Sequence, residues 1–290
     1  VQIAESIDEL ARAGVDAVKL YVNLENDQIS KAVEQSAIHG LHLLAHLGDD
    51  AGEAAISLGV REIEHLSGCL HHVDGWSHLD IESAPFYSSI VNANVILCPT
   101  LVVWDRLSRV NDAVFNNDQR AEWVHPEIRS AWQAFPHRTG DTTERLARQA
   151  SVVAMKKTVR ATNKAGCTII AGTDTPWPNL VPGFSLHDEL ALLVDAGLSP
   201  SEALVAGTSA AAKVLGIGES AGQIRAGFVA DLLAVEGDPT TDITDLGNVK
   251  TVIRMGEVLD MELIRSAARS EFDHPPSDPV SRLIIEFSDQ

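Results

Sequence analysis

Apolar positions switch repeatedly between helical and strand spacing along the first third of the chain. Residues 4–13 (AESIDELARA) carry a helical pattern that stops at Gly14, and the β-rich run VDAVKLYV (15–22) follows. ISKAVEQSAIHG (29–40) reads as the next helix and LHLLAH (41–46) as the next strand. Asp49 and Asp50 stand where they can cap a helix running to about Leu58, ahead of Gly59 and the strand-like VREIEHL (60–66). A further helix near 80–92 precedes NVILCPTLVV (94–103). Helix, short glycine loop and strand, repeated in this way, predict parallel strands joined by helical crossovers.

Residues 104–150 break the rhythm. They are rich in Trp, Asn, Arg and Pro, show helical pieces and no clear strand, and read as a lid-like or binding insertion. A long helix (about 143–165) then feeds another buried strand, CTIIAGTD (167–174). Ser199-Pro200-Ser201-Glu202 is a capping box with proline at the first helical position, opening a helix to about Leu215. Beyond Gly216 the runs 222–237 and 248–259 predict short antiparallel strands with glycine turns, a small β appendage. The expected division is therefore 1–215, 216–262 and a tail over 263–290.

Parallel strands are expected to end near Tyr21, His46, His65, Thr100 and Asp174. An α/β barrel needs about eight strands, and three more cannot be found downstream. The fold class expected is a TIM (β/α)8 barrel lacking its first three strands, with the β appendage behind it. An open barrel of that kind would expose strand edges, so the chain alone is expected to be unstable or inactive.

Composition narrows the partners. Apolar residues make up 45% of the chain, and 22 Lys+Arg against 41 Asp+Glu give a formal charge of −19. That surface repels phosphate backbones and anionic lipid, which argues against nucleic acid and membrane surfaces as partners. No run approaches the ~20 apolar residues of a membrane span. Residues 1–20 lack a signal-peptide pattern, but the chain opens at Val1 inside a helical pattern, so the compartment stays unassigned, with the cytoplasm as the default. Oligomeric state is left open. Cys69, Cys98 and Cys167 have no paired spacing and are expected as small buried hydrophobes. The internal HDEL at 187–190 is not at a chain end and carries no address.

Lys19, His46, His65 and Asp174 all fall at the carboxyl ends of predicted strands, where an α/β barrel keeps its active site. Their order, with the contexts HLG, EHL and AGTDTP, resembles the amidohydrolase superfamily, in particular its prolidase-like and imidazolonepropionase-like branch. GFSLHDELALLVDAGLSPSEALVAGTSAAAKVLGI and GQIRAGFVADLLAVEGDP strengthen the resemblance, which covers roughly residues 5–260 and is most specific over 171–235. It implies two divalent metal ions, usually zinc, bridged by Lys19 in carboxylated form. It further implies that His46 and His65 hold the second metal, and that Asp174 binds the first and serves as general base. Such a centre lowers the pKa of bound water and supplies a nucleophile near neutral pH. The implied activity is cleavage of a C–N bond in an amide, dipeptide or cyclic amide. Deamination, hydrolysis of a lactone or phosphoester, and a non-catalytic binding role on the same scaffold are the alternatives. The resemblance also calls for a His-x-His pair on the first strand, and none of the 11 histidines forms one.

Secondary candidates surround these four. Tyr21 and Asn23 follow Lys19 and could face a pocket. Trp104, Arg106, Trp123 and Trp132 lie in the insertion, where an arginine and aromatics could meet a substrate carboxylate and side chain. His187 and Glu189 share a helical segment after Asp174 and could act near the substrate or as helix-surface and capping residues. Thr173 and Thr175 could orient the aspartate. HHVDGWSH (71–78) looks metal-rich but matches no zinc spacing.

Overall fold

A computed structural model describes residues 2–48, 51–68, 85–109, 112–134 and 142–274. The chain divides into two compact units, Val1–Pro99 with Val153–Ile170, and Thr100–Val152 with Ala171–Gln290. Asp49, Asp50, Cys69 and the 71–78 run, for which capping, burial or metal binding was considered above, lie outside the described residues.

The first unit follows the predicted alternation closely. Helix α1 (Gln2–Ala13) is followed by β1 (Ala17–Leu20), α2 (Asn26–His39), β2 (His42–Ala45), α3 (Gly52–Leu58), β3 (Glu62–Glu64), α4 (Pro85–Ala93) and β4 (Ile96–Cys98). All four strands are parallel and neighbour one another in chain order. The helices also pack in chain order, α1 on α2, α2 on α3 and α3 on α4, while α2 lies against β1 and β2. Val18, Leu20, Ala45, Ile63 and Leu97 form the buried apolar row of the sheet, and Ile7, Ile29, Ile56, Phe86 and Ile90 are among the buried residues of the helices. A polar residue in the apolar row of any strand would lose its hydration without a partner, so these positions are constrained to be aliphatic.

The expected strand over 167–174 is shorter than its sequence suggests. It pairs with β4 through one parallel bridge, Leu97 to Ile169, where Leu97 donates to the Thr168 carbonyl and Ile170 to that of Leu97. Downstream, Asp174 adopts a left-handed backbone with φ +55°, which ends extended structure.

In the second unit the insertion is helical, with α5 (Leu101–Ser108), α6 (Ala113–Asn116), a 3-10 turn (Gln119–Trp123) and α7 (Pro126–Ala134). Helix α8 (Thr142–Lys164) begins in this unit and, from Val153, belongs to the first; α9 (Phe184–Ala196), α10 (Pro200–Ala206) and α11 (Ser209–Val214) continue the second. The Ser199 capping box forms as expected, the serine accepting from the Glu202 backbone. The helix predicted to reach Leu215 is interrupted after Ala206. A Cβ on Gly207 would stand 3.1 Å from Leu190 Cδ2, and Thr208 donates its hydroxyl back to Leu204 O at 2.6 Å. The appendage is a three-stranded antiparallel sheet of β5 (Leu232–Val235), β6 (Val249–Arg254) and β7 (Glu257–Val258), with α12 (Met261–Ser270) after it. Residues 222–231, expected as strand, are instead turn-rich, with left-handed glycines at 222 and 227.

Glu189 on α9 organises this unit. It is fully buried, and its carboxylate accepts from the backbone N–H of Leu101 at 3.0 Å and of Val102 at 2.7 Å. Those are free donors of the first turn of α5, so the side chain of one helix caps another. Burial pushes its pKa up to about 8, against the pull of the two backbone donors. Its neighbour Asp188 accepts from Arg106 at 2.6 Å and from Arg120 at 3.0 Å.

Glu189→Gln should therefore cost about 1–3 kcal/mol, because the amide sets an NH2, which cannot accept, against one of the two backbone donors, whereas both oxygens of the carboxyl group can accept whether or not it is protonated. The parent takes up a proton at Glu189 on folding wherever pH lies between the ordinary 4.5 and about 8. That contribution is complete below the lower value and fades as pH rises through the higher one. Thermal melts from pH about 5 to about 9 should show the gap between parent and variant narrowing as pH rises. A gap that is constant across this range would refute the assignment.

Candidate functional site

Parallel register sorts the first unit's side chains onto two faces. Lys19 pairs with Leu44, Leu20 with Ala45, Ala45 with Ile63, and Glu64 with Cys98. Partners in register share a face, and the side alternates along each strand. Val18, Leu20, Ala45, Ile63 and Leu97 thus fall on one side, while Lys19, His42, Leu44, Glu62, Glu64 and Cys98 fall on the other. The ladder continues past β2, with His46 donating its N–H to Leu20 O at 2.9 Å, and past β3, with His65 donating to Cys98 O at 2.8 Å.

At the carboxyl ends, three of the predicted residues gather around His46. Its ring lies 4.7 Å from that of His65, centroid to centroid, and 4.9 Å from that of Tyr21 in an edge-to-face arrangement. Lys19 is exposed on the same side of β1. Its charge reaches His65, whose pKa is lowered to about 3 by burial first and by His46 and Lys19 after it. His65 is therefore a neutral imidazole at any ordinary pH. It also sits in left-handed backbone, φ +61°, as does Leu66 at φ +52°. Each such residue costs on the order of 1–3 kcal/mol and persists only where packing fixes it.

What fixes it is the turn after β3. Ser67 donates its hydroxyl to Glu64 O at 2.7 Å and accepts from the Leu47 N–H at 2.9 Å, tying the loop after His46 to the turn that contains His65. Gly68 brings the two loops into contact. A Cβ there would stand 2.8 Å from Leu47 Cβ and 3.0 Å from Gly52 N, and its φ of +68° is itself unfavourable for other residues.

Sequence reasoning passed over the acids beneath the histidines. Glu62 and Glu64 both lie on the Lys19 side of the sheet and are buried, and Glu62 hydrogen-bonds His42. Burial pushes Glu64 up to about 7, partly offset by the Cys98 thiol, with the Glu62 carboxylate adding to the rise. The signal was present in E-I-E-H, two acids two residues apart in a strand that ends on a histidine.

The remaining candidates belong to the second unit. Asp174 is half-buried between Thr173 and Thr175, whose hydroxyls bond each other at 2.8 Å. His187 is half-buried on α9, and burial lowers its pKa. Arg106 is buried, with one terminal nitrogen on Asp105 at 2.7 Å, the other on Asp188 at 2.6 Å, and its guanidinium 4.1 Å from the centre of Phe115. Those contacts occupy both of its terminal nitrogens. Trp104 packs against Val102, Val103 and Leu180, and Trp123 lies under Arg269. Glu189, as described, is a cap.

A divalent metal would find two imidazole donors at His46 and His65. The chemistry of that pair suits a zinc-class ion, since one ring is held neutral by its surroundings. Among the described residues, no group of three or more His, Cys, Asp or Glu side chains converges as a metal site, so the pair is a partial donor set.

Comparison with known proteins identifies the family of the chain. A family model described as "Amidohydrolase family" matches residues 2–259. An ochratoxinase of Aspergillus niger is 40% identical over 93 residues, 31% of this chain and 18% of that protein. Among solved structures, bottromycin amidohydrolase superposes with a TM-score of 0.70 at 26% identity, over 95% of this chain and 63% of that one. A Xaa-Pro dipeptidase with methionine in its active site gives 0.64 at 20% identity, over 89% and 57%. The chain spans less than two-thirds of the length of each of these relatives.

Ser67→Ala should remove both hydroxyl bonds, the one within the His65 turn and the one that links it to the loop after His46, and leave the Leu47 N–H without an acceptor. Denaturant unfolding is expected to show a loss of about 1–3 kcal/mol. The Ser67→Thr variant, which keeps the hydroxyl, should recover most of it; equal losses in both would show that the hydroxyl is not the fastener.

Proposed function

Since the chain belongs to the amidohydrolase family, we propose that it is part of a metal-dependent hydrolase that cleaves a C–N bond in an amide, dipeptide or cyclic amide. The observation that carries this reading is the approach of the His46 and His65 rings, 4.7 Å apart at the carboxyl ends of adjacent parallel strands. His46 and His65 would hold a divalent ion, with zinc the natural choice for imidazole donors. When bound, such an ion polarises a carbonyl and makes water nucleophilic near neutral pH.

The protein's own residues do the rest. His65 is neutral before anything binds, so no proton has to leave it first. Lys19, exposed on the same face, has the accessible amine that carboxylation requires; in that form it would add an anionic oxygen donor to the two imidazoles. Tyr21 packs its ring on His46 and can direct its hydroxyl to a bound substrate. Asp174 keeps the role of general base on its AGTDTP context, taking a proton from water and passing it to the leaving amine. Residues 216–262 would serve as a β subdomain. A small molecule bearing an amide is the substrate class, and the relatives named above as a dipeptidase and an amidohydrolase support it.

The test is metal binding first and turnover second. Zinc titration with a competing chromophoric chelator should give at least about tenfold weaker binding for His46→Ala and for His65→Ala than for the parent. In the whole protein, dipeptides and N-acyl amino acids should be cleaved in preference to lactones and phosphoesters, with the same two variants losing about a hundredfold or more in kcat/KM. Unchanged zinc affinity in both variants would sink the metal assignment; preference for a lactone or phosphoester would sink the C–N assignment.

A further inference from the structure

The second unit holds a cavity of about 540 Å³ between α6, the 3-10 turn at Gln119–Trp123 and α7. That volume is in the range that encloses a small organic ligand. Phe115 and Trp132 are its buried aromatic walls. Both rings are fixed in place: the Trp132 indole donates to Pro176 O at 3.0 Å, and Phe115 lies 4.1 Å from the Arg106 guanidinium and 4.6 Å from that of Arg109. Gln119, Gln133 and Asn179 contribute neutral amides.

Arg129 stands out in this lining. Its Nε is buried and meets no hydrogen-bond acceptor, and no carboxylate of the described residues lies within ion-pair distance of its guanidinium. Arg106 also has an unbonded Nε, but the other arginines of the insertion all hold carboxylates: Arg106 pairs its terminal nitrogens with Asp105 and Asp188, Arg109 pairs with Asp112, and Arg120 with Asp118 and Asp188. An arginine that lines a cavity and has no ion-pair partner among the described residues has its terminal nitrogens open to a ligand carboxylate.

We propose that this cavity binds a small molecule with one carboxylate and an aromatic or bulky apolar body, the carboxylate on Arg129 and the body between Phe115 and Trp132. A guanidinium presents parallel donors matched to a carboxylate, and the flat walls suit a ring. A dianion such as phosphate fits less well. Asp118 and Glu122 also line the cavity, and Asp118 is held well into its ionised form by Arg120. One unpaired cation among two carboxylates favours a single negative charge. The inference rests on this cavity alone and does not depend on the hydrolase reading.

The probe is phenylpropanoate, compared with the methyl ketone of the same skeleton, which has its shape and no charge. Neither contains a bond that a hydrolase could cleave, and no metal is added. Ligand-detected NMR titration on the unmodified chain should show the acid binding at least about tenfold tighter than the ketone. Arg129→Gln should abolish that preference, and Arg129→Lys should retain part of it. Equal binding of acid and ketone, or no binding of either at about 10 mM, would overturn the proposal. So would a folded Arg129→Gln protein that keeps the preference, or displacement of the acid by inorganic phosphate at equal concentration. Should Arg129→Gln fail to fold, the acid and ketone comparison on the parent still decides.

Discussion

Parallel register is the constraint on which the first unit depends. Once Lys19 is level with Leu44, and Ala45 with Ile63, the strand period leaves no freedom over which side chains share a face. One side must be aliphatic, because helices cover it. The other is free to collect lysine, histidines and acids. Parallel strands also all end at the same edge, so whatever follows each strand is delivered to one place. That is why residues far apart in sequence, Tyr21, His46 and His65, meet as touching rings. A slip of one residue in β2 would send His46 to the helix side, so stability and site assembly are the same requirement.

The edge is also where backbone conformation turns unusual. Asn23, His65 and Leu66, Thr100 and Asp174 all have positive φ, and each lies just beyond a strand or the Ile169 bridge. A left-handed residue reverses the chain's direction abruptly, which keeps the side chain near the strand end instead of carrying it into a long loop. The strain is met by local fasteners. In the first unit these are Ser67 and the close approach at Gly68; in the second, the carboxylate of Glu189 holds the first turn of α5 just after Thr100. Both fasteners satisfy backbone donors at loops that would otherwise be poorly bonded, the condition for holding a strained turn.

How much of this was legible follows from the range over which each signal acts. Strand positions were readable to within a few residues because burial imposes local alternation; His46 and His65 stood out because each closes such a run, and Lys19 because it is a charge within one. The capping box at Ser199 was readable for the same reason, since its partners are three residues apart. Pairings across many residues left no comparable trace. Arg106 pairs with Asp188, 82 positions away, and Glu189 with backbone amides of α5, and neither pairing is carried by a local pattern. Glu62 and Glu64 were missed because alternating acids in a short run resemble a solvated strand; only the sheet shows them buried. Helix α10 ended early because Gly207 packs on Leu190, another contact that sequence does not display.

These long-range pairings explain why Arg129 is informative and Arg106 is not. In a chain with 41 acidic and 22 basic residues, a cation has acids to spare, and the buried or half-buried arginines of the insertion have found theirs. Arg106 also keeps an unbonded Nε yet holds two carboxylates, whereas Arg129 has no ion-pair partner among the described residues, which a shortage of acids does not explain. Asp118 and Glu122 both line the same cavity, yet Asp118 is turned to Arg120 and Glu122 lies 3.8 Å from Arg269. The local acids are thus committed elsewhere, and Arg129, without an ion-pair partner among the described residues, lines the same volume as the two immobilised rings. Folding alone gains nothing from that arrangement, because bringing either acid round to Arg129 would satisfy the donor. Binding does gain, because a preorganised, unpaired guanidinium loses no existing partner when a carboxylate arrives.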